Sequence, residues 1–161
     1  MPLAVIGSDA YKWLLAFHIL LAVVWVGSNT AIQIFTVRAK RAGADKLAYL
    51  ASEIEWYGTR VLIPTSLTLV VLGFVLLSES DGAFDLGQGW VAFGFIVWLL
   101  SFIAGAGFLG PESGRLGKLV EERGPEDAEY QRRLAGIFLV SRIELVLLIL
   151  VVLDMTVKPG L

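Results

Sequence analysis

Residues 11–37 read YKWLLAFHILLAVVWVGSNTAIQIFTV, an apolar run whose only formal charge is Lys12. Three more apolar runs follow, at residues 61–77, 90–109 and 137–157. Each has about 17 to 27 residues, and a helix needs about 20 to cross roughly 30 Å of hydrocarbon. Only helices and closed barrels satisfy the backbone in lipid, and these runs are continuous rather than alternating. The sequence therefore predicts an all-α fold, a four-transmembrane-helix bundle.

The composition agrees with a membrane protein. Of the 161 residues, 57% are apolar and 17% are charged, whereas soluble domains have about 45–50% and about 25%. A chain of this size is expected to form one domain over residues 1–161, with the lipid bilayer as its partner. The net charge of -2 gives no reason to expect nucleic acid. The sequence has no cysteine, which excludes disulfides and thiolate chemistry by this chain. The sequence leaves open whether the chain forms a homo-oligomer.

The loops predict the orientation in the membrane, because short cytoplasmic loops are enriched in Lys and Arg. The connection at residues 78–89 has no base and carries acidic side chains. The first and third connections together hold Arg38, Lys40, Arg41, Lys46, Arg60, Arg115, Lys118, Arg123, Arg132 and Arg133. We therefore expect both basic loops to face the cytoplasm of a bacterial cell and both termini to be extracytoplasmic. The location is then the inner membrane, crossed four times.

Both basic connections contain signals for further helices. The segment Asp45–Tyr57 has an amphipathic pattern that leads into the second span. Pro125, with acidic residues after it, is typical of a helix start that continues into the fourth span. Gly110-Pro111 is expected to end the third helix, because proline cannot continue the hydrogen-bond ladder.

The first span carries a stripe of polar and aromatic residues. At about 100° per residue its members fall within roughly 60° of one another. Such a stripe has to face the bundle interior. It either forms hydrogen bonds between helices or lines a cavity that binds a small ligand. Its members are His18, Trp25, Asn29, Gln33 and Thr36.

His18 is the only histidine in the chain. A single imidazole can serve as an axial ligand to haem iron or as a proton relay. Haem b is therefore a candidate cofactor, and no other cofactor is indicated. Asp154, at a similar depth in the fourth span, is a candidate to orient His18. A zinc or copper site would need ligands that the sequence does not supply.

A second group of residues is charged and is expected at the cytoplasmic mouth of the bundle. It acts either as an ion-pair lock between helix ends or as an anion site or gate. Arg60 and Arg142 begin spans on the same side, so we expect at least one of them to bridge two helices through an acid. The group comprises Glu53, Glu55, Arg60, Glu112, Arg115, Arg142 and Glu144.

Several motifs resemble known families. The opening with His18-Ile19-Leu20 and Trp25-Val26-Gly27 is similar to the first helix of the copper-resistance D family and of the four-helix protoporphyrinogen oxidase family. The soft ligands for copper and the membrane lysine of the oxidases are missing. A likeness over nearly the whole chain is carried by residues 55–60, 105–115, 141–145 and 152–155 (EWYGTR, GAGFLGPESGR, SRIEL, VLDM). These resemble the bacterial membrane family of domain of unknown function 2269, especially its actinobacterial branch. That resemblance implies a four-helix inner-membrane protein and no assigned activity.

No Walker loop, dinucleotide fingerprint, HExxH motif or nucleophile elbow is present, so the sequence gives no support for an enzyme and no catalytic residue. The sequence favours a membrane protein that binds or passes a small ligand through its polar interior. Two alternatives stay open. One is a haem-b-binding redox or sensor protein, and the other is an accessory or structural membrane subunit.

Overall fold

The computed structural model describes residues 6–160, and within them the chain is helical throughout apart from short connections. Two π-helical segments, Gly58–Leu62 and Gly105–Leu109, each join two α-helices without a break. The α-helices are α1 (Asp9–Ala42), α2 (Ala44–Tyr57), α3 (Ile63–Ser78), α4 (Gly89–Ala104), α5 (Gly110–Arg123) and α6 (Ala128–Val157).

These elements form four long rods, namely α1, α2–α3, α4–α5 and α6, each long and apolar enough to cross a membrane. The rods run alternately up and down, and each packs on the next in chain order and α6 on α1. The prediction of an all-α bundle with four spanning helices is confirmed. We call the end with the two basic connections the basic end and the end with the 79–88 connection the acidic end. Each rod has 30 to 35 residues, about 45–53 Å, so the rods extend well beyond the hydrocarbon at the basic end.

Local signals set the ends of the helices. Ser8 caps α1 by accepting a hydrogen bond from the Tyr11 backbone N–H at 3.2 Å. Gly43 separates α1 from α2 with a φ of 113°, which disfavours any residue with a side chain. Asp127 caps α6 through its carboxylate, which accepts from the backbone N–H groups of Glu129 and Tyr130, both at 3.0 Å. The predicted helices of the basic connections are therefore present.

The prediction that Gly110-Pro111 ends the third helix is wrong. The chain continues as α5 to Arg123, after a π-helical turn in which the Gly110 N–H donates to the Gly105 carbonyl. A proline ring pushes on the carbonyl four residues before it and supplies no N–H. The wider π turn absorbs that conflict instead of breaking the helix. A π-helical turn of the same kind precedes Pro64, where the Ile63 N–H donates to the Gly58 carbonyl.

Packing inside the bundle is thin in the spans and denser at the basic end. Only 11–22% of the most apolar stretch of each rod is buried, and the exposed remainder is the surface that lipid covers. A buried cluster at the basic end holds α2, α5 and α6 together: Leu47, Leu116, Tyr130, Leu134, Ile137 and Phe138. Between α1 and α2, Ser28 Oγ and Tyr57 OH share a hydrogen bond of 2.7 Å.

Candidate functional site

An apolar layer crosses the middle of the bundle. It consists of Trp25 on α1, Val97 on α4 and Leu148 on α6, which pack in one buried cluster. On each of these helices the residue one turn closer to the basic end is polar or ionisable. We call these three residues the polar layer: Asn29, Ser101 and Glu144.

Two members of the polar layer are buried, and few of its polar atoms have hydrogen-bond partners within the protein. Asn29 is 4% exposed, and its side-chain amide donates to the Trp25 carbonyl at 3.0 Å. Ser101 is 6% exposed, and its hydroxyl has no hydrogen-bond partner. Glu144 is half-buried, and it forms no ion pair with any residue from 6 to 160. The layer therefore presents unused oxygen atoms inside a membrane-spanning bundle.

A further polar contact lies one turn nearer the basic end. The Gln33 amide donates to Ser141 Oγ at 2.9 Å and so ties α1 to α6. Thr36 follows on α1, 2% exposed, with a hydroxyl that has no partner. The predicted stripe on α1 therefore places Trp25, Asn29 and Thr36 among the buried residues of that helix, with Gln33 half-buried beside them.

A cavity of about 60 Å³ lies at the basic end, between α2, α5 and α6. Tyr130, Ile137 and Phe138 form part of its apolar wall, and Glu55, Ser52 and Ser113 supply polar atoms. Ala39, one turn beyond Thr36 on α1, packs against the same cluster. Along α1, Thr36 and Gln33 therefore lie between the apolar Ala39 and the polar layer.

The charged residues at the basic end form a different network from the predicted one. Glu112 on α5 is its centre, with Arg133 Nη1 at 2.9 Å from Oε1 and Arg115 Nη1 at 3.3 Å from Oε2. Arg133 also pairs with Glu129 at 2.8 Å, and Glu129 pairs with Arg123 at 3.1 Å. Only Glu112 and Arg115 of the predicted group take part.

The expectation that Arg60 or Arg142 bridges two helices through an acid is wrong. Arg60 lies over the Trp56 ring, 5.3 Å from its centroid. Arg142 does reach another helix, but its Nε donates to the neutral Gln33 Oε1 at 3.3 Å. Within residues 6–160, neither arginine pairs with a carboxylate, and Glu53 and Glu55 pair with no base. The bridging base is Arg133, which lies outside the predicted span at residues 137–157 and keeps 39% of its side chain exposed.

The ion pairs also change the acid–base properties of the network. Hydrogen bonds from Arg133 and then Arg115 hold the pKa of the Glu112 carboxyl below its ordinary value, against the opposing effect of burial. The hydrogen bonds from Glu112 and Glu129 raise the pKa of Arg133. The network therefore stays ionised at neutral pH, which suits a lock between α5 and α6.

His18 lies nearer the acidic end and is half-buried against α3 and α4. Its Cε1 is 3.5 Å from where a Cβ on Gly73 would lie, and Phe95 lies beside the same point. The imidazole therefore fills the notch that Gly73 leaves, and the cavity at the basic end does not touch it. Residues packed in this way do not fit a haem, because a planar macrocycle bound to His18 would have to separate the helices. Asp154 does not orient His18, since His18 Nδ1 and Asp154 Oδ2 are both buried without a hydrogen-bond partner.

The sequence contains signals for the positions of two residues in the polar layer that the prediction did not use. Ile137, Ser141, Glu144 and Leu148 are spaced by four, three and four residues, so Glu144 lies on the interior stripe of α6 and not in a cluster at the mouth. Ser101 is not among the predicted site residues, although it lies one turn from Val97 on the buried face of α4. The role of Arg133 is harder to predict, because it is one of several basic residues in the third connection.

Comparison with known proteins agrees with this architecture. Residues 12–159 match the family described as "Predicted integral membrane protein (DUF2269)". No curated protein and no solved structure matches the chain. Four spanning rods in a helical bundle, together with a match that covers nearly the whole chain, make this a multi-pass membrane protein that belongs to the DUF2269 family of integral membrane proteins.

Proposed function

We propose that this protein is a non-enzymatic protein of the bacterial cytoplasmic membrane that takes up a small polar solute from its basic end into the polar layer. The observation that carries the proposal is the Ser101 hydroxyl, buried at 6% exposure without a protein partner. A helical serine usually satisfies itself on the carbonyl of the preceding turn. Leaving a buried hydroxyl unpaired costs about 1–3 kcal/mol. A polar solute or water at this position offsets that cost.

The arrangement of layers supports uptake from one side. Thr36 and the Gln33–Ser141 pair continue the polar residues from the polar layer toward the cavity at the basic end. On the other side, the apolar layer separates the polar layer from the acidic end. Since short cytoplasmic loops are basic, we place the basic end, and hence the entrance, in the cytoplasm.

Single-cysteine variants test this proposal, because the chain has no cysteine of its own. Ser101→Cys should react in mild detergent with a small charged methanethiosulfonate reagent. Val97→Cys is the matched control, one turn away on the same helix and 2% exposed. We expect Ser101→Cys to react and Val97→Cys to stay unmodified until the protein is denatured.

The result also separates the alternatives. If neither thiol reacts in the folded protein, the interior is dry and the role is that of an accessory or structural subunit. An absorption spectrum of the purified protein checks the haem alternative. A Soret band that disappears in His18→Ala would overturn the proposal in favour of haem, whereas we expect no such band.

A further inference from the structure

Glu144 occupies an unusual position for a carboxyl group. It lies on the interior stripe of α6 between Ser141 and Leu148, both of which are buried. With about 1.5 Å of rise per residue, it lies roughly 20 Å from the end of α6 at Val157. That depth is within the hydrocarbon region, where an ionised carboxylate is costly unless it has a partner.

The charged groups around Glu144 do not supply that partner. Arg142 is two residues away, about 160° around the helix, and its guanidinium bonds to Gln33. α4 has no ionisable residue. The other ionisable groups on α6 and on the helices that pack against it lie at other heights in the bundle. Toward the basic end, Glu112, Arg115 and Arg133 are already paired with one another. His18 and Asp154 lie nearer the acidic end.

The other two members of the polar layer, at the level of Glu144 on α1 and α4, are neutral residues whose side-chain oxygens can act as ligands. The Asn29 amide nitrogen donates to the Trp25 carbonyl, and the Asn29 Oδ1 accepts no hydrogen bond from residues 6–160. Ser101 Oγ is buried without a partner at the same height. A carboxylate with amide and hydroxyl oxygens is the ligand chemistry of a hard cation. One carboxylate balances one positive charge, and within residues 6–160 no three His, Cys, Asp or Glu side chains gather to hold a metal of higher charge.

We propose that the polar layer is a binding site for a monovalent cation, with Glu144 as the ion-pairing carboxylate and Asn29 Oδ1 and Ser101 Oγ as neutral ligands. This inference rests on the proposed function and names the class of its solute. Without the cation, the carboxyl group is protonated, since an unpaired charge at this depth is the costlier state. A proton and a metal or ammonium cation therefore compete for the same group.

Dicyclohexylcarbodiimide tests the inference, because it enters apolar sites and reacts with the protonated carboxyl. The O–H adds across one C=N bond and the adduct rearranges to a stable N-acylurea, so the protein gains the mass of the reagent. We expect one adduct on Glu144, located by mass spectrometry, and none there in Glu144→Gln. Glu112→Gln is the matched control, since Glu112 lies outside the spans. In this variant the reagent should label Glu144 as it does in the natural chain.

Cation protection is the decisive measurement. Labelling rates are compared in lithium, sodium, potassium and methylammonium chloride against choline chloride at equal ionic strength. Protein with a cation bound at Glu144 does not react with the reagent. A cation present at ten times its Kd therefore slows labelling about tenfold. Asn29→Ala with Ser101→Ala should lose that protection while Glu144 still reacts.

The two proposals fail in different ways. Equal rates in all five salts, or no adduct on Glu144, would overturn the cation site. If Ser101→Cys still reacts with the charged thiol reagent, the interior admits solutes but holds no cation. An unreactive Ser101→Cys would instead remove the solute route itself.

Discussion

Glu112 shows how one residue can hold two helices together from outside the membrane. It is 8% exposed and accepts from two arginines, one on its own helix and one on α6. The pair with Arg133 is the shorter, at 2.9 Å against 3.3 Å, and the Arg133 side chain is 39% exposed against 71% for Arg115. Arg133 therefore contributes more to the lock than Arg115 does.

We expect Arg133→Met to lower the free energy of unfolding by about 1–3 kcal/mol, because it leaves Glu112 and Glu129 poorly compensated. Arg115→Met, the matched control, should cost no more than about 1 kcal/mol, as exposed pairs do. The double variant Glu112→Met/Arg133→Met should recover part of the loss. Thermal unfolding in detergent measures all three. Equal losses for the two arginines would show that the bridge between α5 and α6 adds nothing.

The stability that Glu112 supplies should depend on pH in the acid range. The pKa of Glu112 is lowered in the folded protein from an ordinary value of 4.5. Its contribution to the free energy of unfolding is therefore fully present above that pH. As the pH falls further, through the folded pKa, the carboxylate is protonated and the contribution is lost. The natural chain should therefore be more stable than Glu112→Gln at neutral pH, and the two should converge in acid. A gap that stays constant through the acid range would contradict this assignment.

The limits of sequence reasoning are clearest at single residues. The buried positions of Trp25, Asn29 and Thr36 follow from helical spacing, since hydrocarbon excludes polar groups from the outer face. The partners of charged residues do not follow from spacing. Arg60 and Arg142 lie at span ends as expected, yet their side chains are long enough to reach a ring and an amide instead of acids.

At the scale of elements, the two π-helical segments are the feature that the sequence concealed. Both have a glycine followed six residues later by a proline, at Gly58 with Pro64 and Gly105 with Pro111. Proline normally marks a helix end, and that rule failed here because a π turn accommodates the ring. The result is a pair of continuous rods that carry the membrane spans out to the lock at the basic end.

A π turn is equivalent to one extra residue in an α-helix, which predicts the effect of deletions. Deleting Ala106 should restore α-helical geometry and leave α4 and α5 in phase with their neighbours. The deletion brings the Pro111 ring into a regular helix at a cost of about 3 kcal/mol, which Pro111→Ala should remove.

Deleting Leu100 from the regular part of α4 is the control for this prediction. It rotates one part of the rod by about 100° relative to the other and should prevent folding. Size-exclusion profiles and thermal unfolding in detergent compare the variants. If the Ala106 and Leu100 deletions behave alike, the π segment does not act as an inserted residue.

At the scale of the whole molecule, the two ends of the bundle differ in more than charge. The basic end has the cavity and the ion-pair lock. The acidic end is closed by a short connection, in which Ser80 is buried and the Lys158 ammonium lies over the Phe84 and Trp90 rings at 4.8 and 5.2 Å. Under the proposed function, the orientation in the membrane therefore decides which compartment supplies the solute.

We predict that the basic end faces the cytoplasm, because ten Lys and Arg residues lie in its two connections and none lies at residues 78–89. Cysteines at Ala83 and Ala128 report the two ends, since both residues are exposed, whereas the buried Ser80 is a poor site for a label. An impermeant maleimide should modify Ala83→Cys in intact cells and Ala128→Cys only after permeabilisation. The reverse pattern would invert the topology and make the polar layer a site for solutes from outside the cell. Equal modification of both in intact cells would mean that copies insert in both orientations, and neither compartment would then be the sole source of the solute.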